Sequence, residues 1–317
     1  MRPLTRAPIP ARVLCAIGAT LVTLTLGLGA CTESEAPSGA IDVRAVLGEV
    51  GRSPGQLVFP RAMTSHEGQL LVVDKTARIQ RLDPDAGAFI EGLRTPELEL
   101  GKPTGLCVAA HPSDPGRSAL YVADTHYHRV LVYDLDADLS SDPSRPVTPD
   151  IMFGAYGTDP GQFVYPTDIA VLHDSTGRAS RLFVSEYGGN DRVTIFDIKT
   201  ALDGAPTFEP VSTFGVFGIA GEETDTHPVF NRPQSLVIDH DNQELLVCDA
   251  CNHRVGRFTL DGDLIAWTGS PAHISDAPGD LSFPYALALL EDRTVLISQF
   301  GNSRPVPYTP PTPPTKA

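Results

Sequence analysis

VADTHYHRVLVY occupies residues 122–133 and VCDACNHRVGRF residues 247–258, each an apolar run ending in aspartate, then a short polar gap, an arginine and a second alternating run. Related phrases are LVVDKTARIQRL, ending at Leu82, LFVSEYGGNDRVTIF, ending at Phe196, and VLISQFGNSRPVPY, ending at Tyr308. Their arginines fall at 78, 129, 192, 254 and 304, so the phrase returns every 50 to 63 residues. A period of that length marks one supersecondary unit repeated along the chain.

Each copy follows a second recurring phrase: SPGQLVFP ending at Pro60, PELELGKP at Pro103, DPGQFVYP at Pro166, THPVFNRP at Pro233 and APGDLSFP at Pro284. Between proline and arginine lie two short apolar runs, as in PTDIAVLH then RLFVSEY, divided by Asp, Gly, Asn or Ser. This reads as strand, turn, strand. A third run follows the arginine (RVLVYDL, RVTIFDI, RVGRFTL), and usually a fourth with a terminal glycine, as in DIMFGAYG, VSTFGVFG and LIAWTG. Four antiparallel strands repeated radially make an all-β chain, a β-propeller of five visible blades.

The combination of PGQFxxP, an apolar strand, VAD and then NHRV with an aromatic resembles the NHL repeat over roughly residues 45 to 304. VVDKTARIQ, RTPELELGKPTGL and SEYGGNDRV resemble a bacterial lipoprotein group within that family. The resemblance implies six blades, yet PVPYTPPTPPTKA follows the fifth arginine and a sixth blade is not legible. IDVRAVLG at 41–48 has the position of an outermost strand and is expected beside the fifth blade. Pro305 and Pro307 stand two apart, so both lack a donor toward the same neighbour, and closure there is expected to be weak.

At the N-terminus, Arg2, Arg6 and Arg12 precede an apolar run from Val13 to Leu28 and the tetrad LGAC at 28–31. That is the layout of a secretory signal, and its end resembles the lipobox of bacterial lipoproteins. Residues 1–31 are therefore expected to be a signal ending in the lipid-bearing Cys31. By the same reading 32–40 is a flexible tether, 41–309 the propeller and 310–317 a proline-rich tail. Thr32 stands where an aspartate would oppose outer-membrane sorting, so the expected location is the cell envelope, the outer membrane if the cell is Gram-negative.

Cleavage would remove three arginines and move the formal charge from -15 to -18. Such a surface repels nucleic acid and anionic head groups, leaving the N-terminal lipid as the expected membrane contact. Of five cysteines only Cys107, Cys248 and Cys251 would remain as thiols, too few for a disulfide framework. Cys248 and Cys251 have CxxC spacing, but they span a strand end rather than open a helix.

A catalytic group is needed once, whereas the acid and arginine recur as Asp74 and Arg78, Asp124 and Arg129, Glu186 and Arg192, and Asp249 and Arg254, with Arg304 in the fifth copy. Repetition points to a blade lock made of charge-assisted hydrogen bonds. Specificity would then reside in the turns KTA, THYH, YGGND, ACNH and FGNS. Their side chains His126, Tyr127, His128, Tyr187, Asn190, Asn252 and His253 share one face with the PGQ connectors and form the candidate binding face.

Propeller lyases that open peptidyl-hydroxyglycine hold zinc with channel histidines, and this resemblance supplies an alternative, a metal-dependent lyase or lactone hydrolase. Its ligands would be His128, His253 and Asp191. A second set, His66, His111, His173 and His240, follows the innermost strands, in turns whose Asp, Ser, Asn or Gly neighbours are ordinary hairpin chemistry. No phosphate loop, GxSxG elbow or HExxH helix is present. The expected function is a binding scaffold for a protein or small ligand, with no cofactor.

Cys31→Ser is expected to abolish acyl labelling and release the protein from membranes, as read by metabolic fatty-acid labelling and fractionation. Undiminished labelling of the variant would remove the anchor.

Overall fold

Alternation of apolar and polar residues lays the repeats down as five antiparallel sheets, each ordered from its inner strand outward as in the chain. The computed structural model describes residues 46–309 other than 203, 224–226, 276 and 278; Cys31, the tether 32–40 and the tail 310–317 lie outside them. Blade one comprises Pro60–His66, Gln69–Asp74, Arg78–Leu82 and Phe89–Arg94. Blade two comprises Gly105–His111, Asp114–Asp124, Arg129–Asp134 and Ile151–Phe153. Blade three comprises Tyr165–His173, Ala179–Tyr187, Arg192–Thr200 and Pro206–Phe214. Blade four comprises Pro233–Asp239, Glu244–Asp249, Arg254–Thr259 and Leu264–Gly269. Blade five has three strands, Pro284–Leu289, Val295–Gln299 and Arg304–Tyr308.

A blade buries both faces of its second strand against its two neighbours, so that strand reads as an unbroken apolar run. ELLVCD in blade four is buried at every position. VLISQ in blade five alternates, with Val295, Ile297 and Gln299 buried and Leu296 and Ser298 half-buried. One face of blade five is thus covered and the other is not. The apolar clusters agree: one joins blades one and two, one joins two and three, one joins three and four, and one joins four and five. Inner strands pack in the same sequence, and among the described residues no comparable packing joins Pro284–Leu289 to Pro60–His66.

The strand expected over 41–48 is not found over 46–48. The first described strand is Glu49–Val50, which pairs in parallel with Gln56–Leu57. Arg304–Tyr308 pairs on one side with Val295–Gln299, with Pro305 opposite Ser298 and Pro307 opposite Leu296. Among the described residues no fourth strand continues that sheet.

The PGQ phrase is a turn with proline second and glycine third. Gln56 N–H donates to Ser53 O and Gln162 N–H to Asp159 O, both at 3.0 Å. Gly55 and Gly161 hold φ of +81° and +84°, the left-handed values a type II turn requires at that place. In blade four the same turn is made not by THPVFNRP but by Ile219–Glu222, where Glu222 N–H donates to Ile219 O at 3.0 Å and Gly221 has φ +100°. A glycine third and a side-chain acceptor fourth suffice, and Glu222 Oε2 accepts Ile219 N–H as Gln162 Oε1 accepts that of Asp159. The repeat was therefore shifted in register at this blade.

In blades three, four and five an apolar side chain three residues before the inner-strand proline plugs the junction: Phe163, Phe230 and Leu281 are buried. The terminal glycine of the preceding fourth strand makes room for it. A Cβ on Gly154 would stand 2.7 Å from Phe163, on Gly215 2.2 Å from Phe230 and on Gly269 2.8 Å from Leu281.

Coverage on one face only predicts weaker protection at the chain's last blade. Amides of Val295–Gln299 are expected to exchange at least about tenfold faster than those of Ala179–Tyr187 and Glu244–Asp249 in native-state hydrogen exchange. Uniform protection would show a ring closed between blades five and one.

Candidate functional site

The acid that ends each second strand and the arginine that opens each third strand face one another across the turn. Asp74 meets Arg78 at 2.6 Å, Asp124 meets Arg129 at 2.8 Å, Glu186 meets Arg192 at 2.5 Å and Asp249 meets Arg254 at 2.9 Å. All four carboxylates are fully buried, and in Asp124, Glu186 and Asp249 burial raises the carboxyl pKa, to about 6 for Asp249.

Both partners also hold the blade's own connector. Asp74 Oδ2 accepts Val58 N–H at 3.1 Å, Glu186 Oε2 accepts Val164 N–H at 2.6 Å and Asp249 Oδ1 accepts Asn231 N–H at 2.7 Å. Arg78 donates to the carbonyls of Arg52 and Gln56, Arg192 to those of Thr158 and Gln162, and Arg254 to that of Val229. In blade five the acid's place is taken by Gln299, whose Oε1 accepts Ser282 N–H at 2.9 Å, with Arg304 opposite it in register. Arg129 adds Glu97, and Arg254 adds Glu223 and the face of Trp267 at 3.6 Å.

Blade two departs from this pattern. Its connector has no PGQ turn, and turn side chains do the holding instead: Leu100 N–H donates to Tyr127 OH and Lys102 N–H to His126 Nδ1, both at 3.1 Å. His126 and Tyr127 thus hold their own connector.

The residue just before the arginine reaches the next blade. The His128 ring Nδ1 meets the Val164 carbonyl, Asp191 Oδ1 accepts Arg232 N–H at 2.6 Å, and His253 Nδ1 accepts Phe283 N–H at 3.1 Å. The structure does not bring His128, Asp191 and His253 together. Each is consumed at a different junction, and no group of three or more His, Cys, Asp or Glu among the described residues could hold a metal ion. These three residues therefore do not form a three-ligand set.

The remaining face residues divide. Asn252 and His253 are buried, and Asn252 donates to Gly218 O and Asp249 while accepting Ala220 N–H at 3.0 Å, which fixes the Ile219–Glu222 turn. Asn190 lies beside Glu186. Half-buried His126, His128 and Tyr187 gather around Tyr165, at ring separations of 5.9, 5.2 and 5.3 Å. Tyr156 stacks edge-on to His128 at 4.9 Å, and Arg232 lies over Tyr187 at 5.0 Å. Tyr156 and Arg232 belong to connectors and Tyr165 opens the inner strand of blade three, so none of them lies in the turns.

Toward the axis this face opens into a cavity of about 570 Å³ lined by Pro60 and Arg61 of blade one, Arg232, Gln234 and Cys251 of blade four, and Phe283, Tyr285 and Phe300 of blade five. Arg61, Gln234 and Tyr285 also line the central channel, about 540 Å³, to which all five inner strands contribute. In the channel wall Asp168 accepts Leu236 N–H at 2.9 Å, and burial pushes its carboxyl up to about 6. Burial likewise pushes the Cys107 thiol up to about 12, and the Cys248 and Cys251 thiols are also raised and unbonded to one another. His173 and His240 line the same channel with their rings 6.4 Å apart, and Ala110 N–H donates to His173 Nε2 at 3.1 Å.

Two residues that line the mouth, Arg232 and Phe283, and their counterpart Phe59 in blade one are held in an uncommon backbone state. Phe59, Arg232 and Phe283, each directly before an inner-strand proline, have φ of 50°, 65° and 48°. Bulky residues adopt that region only when neighbours over-determine them. Here the neighbouring turn does so, with Ala250 N–H on Arg232 O at 3.3 Å and Phe300 N–H on Phe283 O at 2.9 Å.

Comparison with known proteins finds the NHL repeat matching residues 230–258, from the plug Phe230 to the end of the third strand of blade four. No curated protein matches the chain. Among solved structures it is similar to a streptogramin B lyase, at 16% identity over 80% of this chain and 70% of that one, with a TM-score of 0.47. It is also similar to a virginiamycin B lyase from Staphylococcus aureus, at 14% identity over 80% of this chain and 70% of that one, with a TM-score of 0.43. A Bacteroides thetaiotaomicron protein of unknown function shares 15% identity over 77% of this chain and 53% of that one, with a TM-score of 0.46.

Removing one partner from a buried pair strands the other, so Arg254→Ala is expected to cost on the order of 3 to 5 kcal/mol, since Asp249 remains buried. His126→Ala gives up a hydrogen bond worth about 1 kcal/mol. Equal and negligible shifts in the urea midpoints of the two variants would show that the clamp does not hold the blade.

Proposed function

Since this chain is a five-bladed β-propeller, one blade of which matches the NHL repeat, we propose that it is a binding module whose ligand enters the channel mouth on the turn face, tethered outside the cytoplasm by a lipid on Cys31. The mouth cavity carries the reading. It is walled by Phe283, Tyr285 and Phe300, and it continues into the channel past Gln234. Concave sites with aromatic walls and a few convergent polar groups are where small molecules gain most contact. The left-handed backbone of Arg232 and Phe283 fixes where their side chains stand at the mouth. Beside the mouth, the rings of His128, Tyr156, Tyr165 and Tyr187 offer a flat aromatic surface for a larger partner. A formal charge of -15 disfavours nucleic acid as that partner. The acid–arginine pairs, present in four blades, serve as scaffold.

A neutral aromatic probe tests the cavity. Naphthalene-2-carboxamide is expected to bind the wild-type protein, and Phe283→Ala to weaken it about tenfold, equivalent to ~1.4 kcal/mol. Titration calorimetry reads both. Binding untouched by Phe283→Ala would place the ligand elsewhere.

A further inference from the structure

The arginines that lock blades one to four all have carboxylate partners, as Arg78 has Asp74 and Arg254 has Asp249, and so do Arg257, with Glu244, and Arg293, with Asp239. Arg61 and Arg232 form no such ion pair, although Asp191, which accepts the Arg232 backbone N–H, is near enough to feel the Arg232 charge. Among the described residues neither has a carboxylate within ion-pair distance, both are exposed, and both line the mouth cavity, one from blade one and one from blade four. No aspartate or glutamate lines that cavity, in a chain whose formal charge is -15. Arg232 is fixed through its backbone on both sides, and its guanidinium rests on Tyr187. A third donor lies at the same place. Gln234 is 9% exposed, and its Nε2 is buried with no hydrogen-bond partner. A buried amide donor left unsatisfied is costly, and a ligand oxygen would remove that cost.

Resting on the reading of the mouth as the binding site, we propose that the cavity takes a small organic anion, a carboxylate carried on an aromatic body. Two guanidiniums supply planar forks of donors that fit the paired oxygens of a carboxylate. Gln234 Nε2 supplies a donor from the floor, and Phe283, Tyr285 and Phe300 supply apolar walls for the ring. The cavity presents donors where the rest of the surface presents acids, so charge selects against cations and admits anions.

Three probes on the full chain separate the parts, each titrated calorimetrically: naphthalene-2-carboxylate, naphthalene-2-carboxamide and inorganic phosphate. The carboxylate is expected to bind at least about tenfold tighter than the carboxamide, and phosphate more weakly than either. In the Arg61→Gln, Arg232→Gln double variant the preference for the carboxylate should vanish while the carboxamide binds as before. Equal affinities for acid and amide in the wild type, or a preference that survives the double variant, would overturn the proposal and leave the cavity as a neutral site. Phosphate binding as tightly as the carboxylate would overturn the aromatic body. If neither naphthalene compound binds, the cavity reading falls together with the anion.

Discussion

A buried carboxylate that must satisfy several donors at once governs how blades one, three and four are assembled. Asp249 accepts the connector amide of Asn231, the side chain of Asn252 and the guanidinium of Arg254, all within 2.9 Å. Burial costs such a group dearly, as the raised pKa of Asp249 records, so a partly formed set is worse than none. The three groups come from a connector, a turn and a strand, which can therefore only form together. Position of the inner strand follows, because the held connector runs straight into its proline.

The junctions between blades have a direction. His128, Asp191 and His253 each reach forward to the next connector, and Phe163, Phe230 and Leu281 each plug back under the glycine of the preceding fourth strand. Blade five receives such contacts from blade four but has a glutamine in the acid's place and one uncovered face. The mouth cavity lies where blades four, five and one come together, so the proposed binding surface and the least covered blade are neighbours.

Repeat, strand order and the acid–arginine pairs were legible because each rests on local pattern: apolar alternation, a proline at the strand start, an arginine at fixed offset. Register in blade four was not, since Ile219–Glu222 makes the PGQ turn with different residues and is followed by extra chain. The candidate face was half legible. Turn residues were named, but sequence gives no sign that Asn252 and His253 point inward while Tyr165 and Arg232 point out. That distinction depends on which junction a side chain serves, and junctions join residues some 30 to 40 apart. The three-ligand metal set failed for the same reason: equivalent positions on successive blades are spread around a ring.

Phe59, Arg232 and Phe283 hold a backbone shape that glycine adopts freely and that costs other residues about 1 to 3 kcal/mol. Selection acting on folding alone would drift these three positions toward glycine. Each instead carries a bulky side chain set against a neighbour, Phe59 under Lys75, Arg232 over Tyr187 and Phe283 against His253, which offsets part of that cost. If the proposed ligand is what keeps Arg232 and Phe283 at the mouth, lineages that no longer bind it should lose these side chains before the clamp beneath them erodes, so the mouth would record the history of use and the clamp only the history of the fold.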